Sequence, residues 1–311
     1  MRRRWMPASW RCTTRLRSGA DDVSVVIPTR GTSRFFASAL ASALAEEPAE
    51  VIVVQDGDAE LDATALAGAR RLHIRRGGRS AARNAGVDAV QTPLVAFLDD
   101  DDVVLPGRLG RQRAVLAELP AAPLTFGRVN VIDADDRPLA AWNQLLDRRF
   151  AELPASGIDA ADLLARQAPI YTSATLVRRD AFLASGGYDA QLDAYEDLDL
   201  YFRLAQLGPL LPTGGEPVAA YRLHGENTPS DRLYEGLLAV AAKHLPGADG
   251  PTRRLLLERK IDALWGLGRV GAVRRDAVRA LRAEPRLLAH PRFVRRLGGS
   301  LLPRALIERR R

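Results

Sequence analysis

Short apolar runs, each closed by polar residues, organise the first hundred positions of the chain. Val23-Ser24-Val25-Val26-Ile27 stops at Pro28-Thr29-Arg30-Gly31, and Val51-Ile52-Val53-Val54 stops at Gln55-Asp56-Gly57-Asp58. A weaker run, Leu72-His73-Ile74, follows, and Leu94-Val95-Ala96-Phe97-Leu98 leads directly into Asp99-Asp100-Asp101-Asp102. Runs this short and rich in β-branched residues predict buried strands rather than helices. Between the first two, the spacing changes: Phe36, Leu40 and Leu44 recur every four residues behind Ser33, a capping residue, and predict a helix. A second helix is predicted over 80–90. Strands alternating with helices specify βαβ units, a parallel sheet and an α/β fold. Ligands of such sheets bind outside the carboxyl ends of the strands. The clusters at 28–31, 55–58 and 99–102 all follow strands, so they are expected to converge on one cleft.

The pattern loosens afterwards. Residues 124–132 alternate and predict a strand, closed by the turn Asp135-Asp136-Arg137-Pro138. Residues 173–177 and 218–223 predict two more strands, and 195–207 a helix. From Asp231 onward the spacing is helical, over 231–245, 252–267 and 272–283, with shorter pieces around Pro291 and Pro303. Neither internal repeats nor a low-complexity linker interrupt this order. The expected division is a disordered basic extension or misassigned start over 1–20, an α/β domain over 21–230 and a helical extension over 231–311.

Charge changes this picture more than bulk composition does. At 311 residues, 47% hydrophobic and 27% charged, the chain is an ordinary globular protein with room for one large or two small domains. The formal charge of +7 is unevenly spread: residues 1–20 hold six arginines and no acid, and residues 251–311 hold 17 Arg or Lys against five acids. The intervening 230 residues therefore carry −11, an acidic globule between basic flanks. Three readings of the basic tail stand. It is a helical cap with Leu255, Leu256, Ile261 and Leu264 turned inward, a peripheral contact with an anionic membrane, or a nucleic-acid contact. The last lacks any recognised module or aromatic-basic interleaving, so no nucleic acid is expected. Cys12 is the only cysteine, which excludes an intramolecular disulfide and a cysteine-held zinc. With no apolar run of bilayer length and no apolar stretch behind Met1-Arg2-Arg3-Arg4-Trp5, the expected location is cytoplasmic, with peripheral placement at the inner face of the membrane if the tail meets lipid.

Four consecutive carboxylates at a strand end repel one another unless solvated or shared with a cation. Hard divalent ions take such oxygen ligands and bridge them to phosphates. Around this run the chain resembles the family 2 glycosyltransferases of the GT-A fold. The resemblance rests on Val23-Ser24-Val25-Val26-Ile27-Pro28-Thr29, Val53-Val54-Gln55-Asp56-Gly57, Ala82-Arg83-Asn84-Ala85-Gly86 and Phe97-Leu98-Asp99-Asp100-Asp101-Asp102. It continues through Gly186-Gly187-Tyr188-Asp189, Glu196-Asp197-Leu198-Asp199-Leu200 and Tyr221-Arg222-Leu223-His224-Gly225, in the family's order and spacing. It spans two thirds of the chain and omits the C-terminal helices.

The resemblance implies a GT-A, Rossmann-like, mostly parallel sheet flanked by helices, here with a helical C-terminal extension. It implies a nucleotide-sugar donor, a glycan or lipid-linked acceptor, transfer with inversion, and Mg²⁺ or Mn²⁺ as cofactor. By position, Pro28 and Thr29 would contact the nucleotide and Asp56 its base, usually uracil; Gln55 stands where the family often has a second acid. Arg79 and Arg83 lie in the base- and phosphate-contacting segment, although Arg83-Asn84 can equally orient its own helix. Asp101 would bind metal, with Asp99 or Asp100 on ribose or sugar and Asp99 also within the D-x-D metal signature. His224 would complete the metal site or touch phosphate, or it is simply polar surface.

Asp197 is the candidate proton acceptor. On a helix it shares a face with Leu200, Tyr201 and Leu204 and is expected to point inward. Glu196 follows Asp193 at capping-box spacing, and Asp199 with Arg203 is expected to form a surface pair. The alternative for Asp197 is a helix-terminus acid paired with an arginine. The Gln-x-x-Arg-Trp motif of processive synthases is absent, so one addition per encounter is expected. Two other functions fit parts of the pattern: a nucleotidyltransferase that makes a nucleotide-sugar, whose Gly-rich loop after the first strand is missing here, and a non-catalytic nucleotide-sugar-binding protein.

Overall fold

The computed structural model of the chain describes residues 22–59, 61, 66–225 and 228–301. The extension expected over 1–20 and the piece around Pro303 lie outside the described residues. In chain order the strands and helices begin with β1 (Val23–Thr29), α1 (Phe36–Leu44), β2 (Glu50–Asp56), β3 (Arg70–Ile74) and α2 (Gly78–Ala89). Next come β4 (Leu94–Phe97), β5 (Val103–Val104), α3 (Arg108–Glu118), β6 (Leu124–Gly127), β7 (Val129–Ile132), α4 (Ala140–Ala151) and α5 (Ala160–Arg166). Then follow β8 (Thr175–Arg178), α6 (Arg179–Ala184), α7 (Glu196–Leu204), β9 (Leu210–Thr213) and β10 (Ala219–Arg222). The last four are α8 (Ser230–His244), α9 (Gly250–Gly266), α10 (Val270–Ala283) and α11 (Pro291–Ser300). Two compact units divide these elements: residues 22–190 with 199–225, and residues 191–198 with 228–301.

The first unit is built on a seven-stranded sheet in the order β3-β2-β1-β4-β8-β6-β9. Its first four strands are parallel, β8 runs against both β4 and β6, and β9 is parallel to β6. The apolar runs read from the sequence are its centre: Val23, Val25, Ile27, Val51, Val53, Leu94 and Ala96 pack with Phe36, Ala39, Leu40 and Ala43 of α1 in one core. Parallel register sets Thr29 beside Gln55 and Val26 beside Phe97, so the carboxyl ends of β1, β2 and β4 open on the same edge. A three-stranded sheet, β5-β10-β7, completes the unit. In it Ala220 pairs antiparallel with Val103, which returns the chain after β10 to the acidic run.

Several sequence expectations shift. The strand expected over 124–132 is two strands in two sheets, broken at Arg128. Gly127 packs so closely on Val218 that a β-carbon there would stand 2.4 Å from a Val218 methyl carbon. The start of the 173–177 strand is a 3-10 turn, Thr172–Ala174. Ser33 does not cap α1; the cap position is Phe35, and the Ser33 hydroxyl instead accepts from the Phe35 amide at 3.2 Å. The helix expected from 195 begins at Glu196, because Tyr195 has φ +58°. The pair Asp199–Arg203 is no surface pair: Asp199 is fully buried, and Arg203 donates both to it and to the Ser185 carbonyl.

The second unit is helical, as the spacing predicted. Ile261, Leu264, Val273, Ala277, Ala280, Leu287 and Phe293 form its core. Leu256 is buried as well, and Leu255 is half-buried. Four acids of the basic tail, those among the described residues, are used internally, in the pairs Arg254–Glu284, Lys260–Asp276, Arg296–Asp262 and His290–Glu258. Segment 191–198 belongs to this unit by its packing.

Candidate active site

Each carboxylate of the acidic run has its own environment, drawn from a different part of the first unit. Asp99 pairs with Arg83 of α2, and its backbone amide donates to the Ser173 hydroxyl at 3.0 Å. Asp100 accepts from the Thr29 hydroxyl at the end of β1, at 2.5 Å. Asp101 lies 2.8 Å from Nε2 of His224. Asp102 is almost fully buried and accepts from the backbone amide of Arg222 at 2.8 Å.

Burial and mutual repulsion act on the titration of Asp100, Asp101 and Asp102. The Asp100 carboxyl is pushed up to about 6, by burial first and then by the charges of Asp101 and Asp99, with the Thr29 hydrogen bond opposing. Asp101 is raised by burial and by Asp99, while His224 pulls it back. Asp102 is raised well above the carboxylate range by burial, then by Asp101 and Asp99. Desolvation disfavours the charged form of any acid, and adjacent acids add to it.

Arg222 is the residue that sequence reasoning passed over. Though it is a cation only 1% exposed, its guanidinium donates to the Asp101 carbonyl at 2.8 Å and pairs with Asp136 at 2.7 Å. It also lies 4.2 Å from the centre of the Phe35 ring, which packs against the His224 imidazole at 5.5 Å. Arg222 thus fixes the backbone of the run and, through Phe35, one side of the imidazole. Its place inside Tyr221-Arg222-Leu223-His224-Gly225 was the available signal. Arg108, fully buried in α3, is a second: it donates to the Phe97 and Thr175 carbonyls and so braces the strand that delivers the run.

At the end of β2, Asp56 accepts from the amides of Gly77 at 2.7 Å and Gly78 at 2.9 Å. These amides open α2, so the carboxylate also complements the positive end of that helix. Gly78 has φ +83°, in the left-handed region where a β-carbon is strained. Gln55 faces the other side of the strand, as alternation requires, and its amide donates to the Gly57 carbonyl at 3.0 Å. Pro28 and Thr29 are buried beside it. Arg79 is exposed on the first turn of α2, whereas Arg83 is buried and stacks on Tyr188 at 5.1 Å. Next to it, Asn84 exchanges two hydrogen bonds of 2.8 Å with the Tyr188 backbone. The structure thus brings Thr29, Arg83, Asp99, Asp100, Asp101 and His224 into direct contacts, and gives Asp56 a role in seating α2.

Asp101 and His224 hydrogen-bond at 2.8 Å, and a divalent cation taken up in place of the shared proton would have a carboxylate oxygen and an imidazole nitrogen as ligands, beside acids whose repulsion it would relieve. Among the described residues no group of three or more His, Cys, Asp or Glu is arranged to hold a metal, so phosphate and water oxygens would fill the remaining positions.

Asp197 belongs to the second unit. The sequence pattern turned it inward, but it is half-buried, while Glu196 and Asp199 are the buried acids of that stretch. Its carboxylate accepts from the Leu198 amide at 2.7 Å.

The family model described as Glycosyl transferase family 2 matches residues 24–182. The succinoglycan biosynthesis protein ExoU of Rhizobium meliloti (strain 1021) is 34% identical over 248 residues, covering 71% of this chain and 70% of that protein. A pre-mycofactocin glycosyltransferase of Mycobacterium tuberculosis (strain ATCC 25618 / H37Rv) is 31% identical over 215 residues, 64% of this chain and 42% of that one. Among solved structures, S. aureus TarS 1-349, also crystallised with UDP-GlcNAc, superposes with TM-score 0.60 over 90% of both chains at 14% identity, a likeness of fold.

Proposed function

Since the chain belongs to glycosyl transferase family 2, we propose that it moves a sugar, with inversion, from a UDP-linked donor to a hydroxyl of a cell-surface glycan or glycolipid under assembly. The observation that carries this reading is the Asp101–His224 pair at the strand ends, flanked by Asp100 on Thr29 and Asp99 on Arg83. UDP is favoured by the TarS complex with UDP-GlcNAc, and polysaccharide assembly by the succinoglycan names of ExoU and ExoO.

Asp101 and His224 would hold Mg²⁺ or Mn²⁺. Such an ion supplies a Lewis acid for the charge on a departing diphosphate. Asp99, held by Arg83, then serves as a fixed wall rather than a free ligand, and Asp100 offers its second oxygen to ribose. Asp56 keeps a free lone pair on each oxygen after taking the two glycine amides, enough to accept an imide N–H of the base. Pro28 and Thr29 line the nucleotide, and Arg79, exposed at the opening of α2, reaches its phosphates. Asp197 would accept the proton of the acceptor hydroxyl as that oxygen attacks the anomeric carbon, a contribution of about 10²–10⁴-fold.

No helix among the described residues is long and apolar enough to cross a membrane. The bilayer contact we propose is peripheral, through the basic helices. A panel of UDP-, GDP- and dTDP-linked sugars in MnCl₂, read by slow hydrolysis and thermal shift, tests the proposal. UDP-sugars are expected to stabilise the protein and to be hydrolysed. Absence of both effects across the panel, or pyrophosphate release from a nucleoside triphosphate plus a sugar phosphate, would overturn it.

A further inference from the structure

Helix α8 packs on the 191–198 segment with no slack. A β-carbon on Gly236 of α8 would stand 2.4 Å from the Ala194 carbonyl oxygen, 2.8 Å from its carbonyl carbon and 3.0 Å from its Cβ. That obstruction is mostly backbone, so no side-chain rotation relieves it. The next residue, Tyr195, is held at φ +58°, a region that residues other than glycine occupy only when their surroundings over-determine it. Those surroundings can be read from its phenol. Burial disfavours its ionisation first, then the charge of Asp197, and Tyr234 adds to them, while Arg259 opposes. Arg259 comes from α9 and is itself buried. Tyr234, of α8, packs so tightly on α9 that a β-carbon on Gly266 would lie 2.4–2.6 Å from three of its ring atoms. One rigid contact therefore ends on this segment, Gly236 on Ala194, and the charge of Arg259 and the phenol of Tyr234 act on the neighbouring Tyr195. All of these residues lie outside the stretch 24–182 that carries the family match.

We propose that the helical unit is the mount for Asp197: Gly236 and Tyr195 are positioning residues that fix the carboxylate assigned above as proton acceptor. The proposal rests on that assignment. A merely covering tail would have no need to press a glycine against the Ala194 backbone or to hold a tyrosine in the left-handed region two residues before the acid.

Helix propensity alone favours alanine over glycine, so Gly236→Ala strengthens α8 while its methyl displaces Ala194. Gly298→Ala in α11 makes the same change of propensity with no heavy atom within 4 Å, and serves as control. On the full chain, Gly236→Ala is expected to raise hydrogen exchange of the 191–198 amides at least tenfold. It should leave UDP binding in MnCl₂ within twofold, and lower hydrolysis of the donor found in the panel at least tenfold, as Asp197→Asn should. Gly298→Ala should change none of the three. If Gly236→Ala does not fold, Tyr195→Gly, which keeps the backbone conformation but loses the ring, carries the same expectation, and Tyr195→Phe should restore both readouts to within twofold of wild type. Unchanged exchange in Gly236→Ala overturns the mount, with the base assignment intact if Asp197→Asn is inactive. Looser exchange with undiminished hydrolysis also overturns it, and full turnover in Asp197→Asn overturns the assignment and the mount together.

Discussion

Replacing Arg83 by methionine separates the two roles open to it, orienting the site or contacting the donor. Methionine keeps the apolar stem and removes the guanidinium that pairs with Asp99 and stacks on Tyr188. Removing one partner of a buried ion pair costs about 3–5 kcal/mol, because a charge is left uncompensated. Asp99 keeps 27% of its side chain exposed, so water recovers part of this and the lower end applies, about 3 kcal/mol including the lost ring contact. At about 2–4 °C per kcal/mol for a domain of this size, the melting temperature should fall by about 6–12 °C. The uncompensated charge predicts its own rescue. Asp99→Asn in the Arg83→Met background removes it and should recover about half the loss, a coupling within the range for residues in contact. Urea unfolding of the four proteins of this double-mutant cycle, without metal, is the assay. A loss below about 1 kcal/mol in Arg83→Met, or no recovery in the double variant, would refute the orienting role; weaker UDP binding at unchanged stability would instead place Arg83 on the donor.

Three further outcomes are expected. Asp101→Ala should abolish transfer and Mn²⁺-dependent stabilisation by UDP while the fold persists, and wild-type activity undiminished in excess EDTA would remove the metal from the reaction. Asp56→Asn keeps one carbonyl acceptor for two backbone amides, so it should cost about 1.5–3 kcal/mol in urea unfolding and raise the donor KM more than it lowers kcat; unchanged KM would leave Asp56 as an anchor of α2 alone. The helical unit exposes Arg275, Arg282, Arg286, Arg292 and Arg295 together with Leu288, which is 61% exposed. At about 1 kcal/mol per basic residue near anionic lipid, cosedimentation with phosphatidylserine vesicles should be strong at low salt and lost at high salt, and equal binding to neutral vesicles would exclude the electrostatic contact.

The parts of the fold that were legible are those where one physical signal acts alone. Strands β1, β2 and β4 are buried on both faces, so they read as unbroken apolar runs, and the polar clusters behind them mark the ligand edge without further information. Strand β9 was not legible because Pro209 and Pro212 flank and interrupt its apolar residues, and prolines argue against a strand inside a sheet. The division of 124–132 between two sheets turns on a contact of Gly127 with Val218, ninety-one positions away in sequence. Helical periodicity placed Asp197 inward and Asp199 outward, and the structure reverses the order of burial. The start of α7 is set by the left-handed Tyr195, and the affinity of Asp199 for Arg203 and its surroundings outweighs the face preference of either acid. The four aspartates read as a metal loop in sequence, but their separate partners, Arg83, Thr29, His224 and the Arg222 amide, depend on tertiary contacts that no local pattern encodes.

The partnership of Asp101 with His224 closes a loop of 123 residues, and Asp102 reaches the Arg222 amide across 120. During synthesis at about 5–20 residues per second, the acidic run therefore precedes its partners by roughly 6–25 s. The strands β1, β2 and β4 and the helices between them can assemble in that interval, since their contacts are more local. The run itself must wait, with Asp101 and Asp102 solvated and charged, until β10 emerges and pairs with β5. A chain that ended with the family match at 182 would stay in that state permanently. Completion of this edge is thus a late, vectorial event, and a ribosome stall between residues 104 and 219 would leave the Asp101–His224 pair unformed.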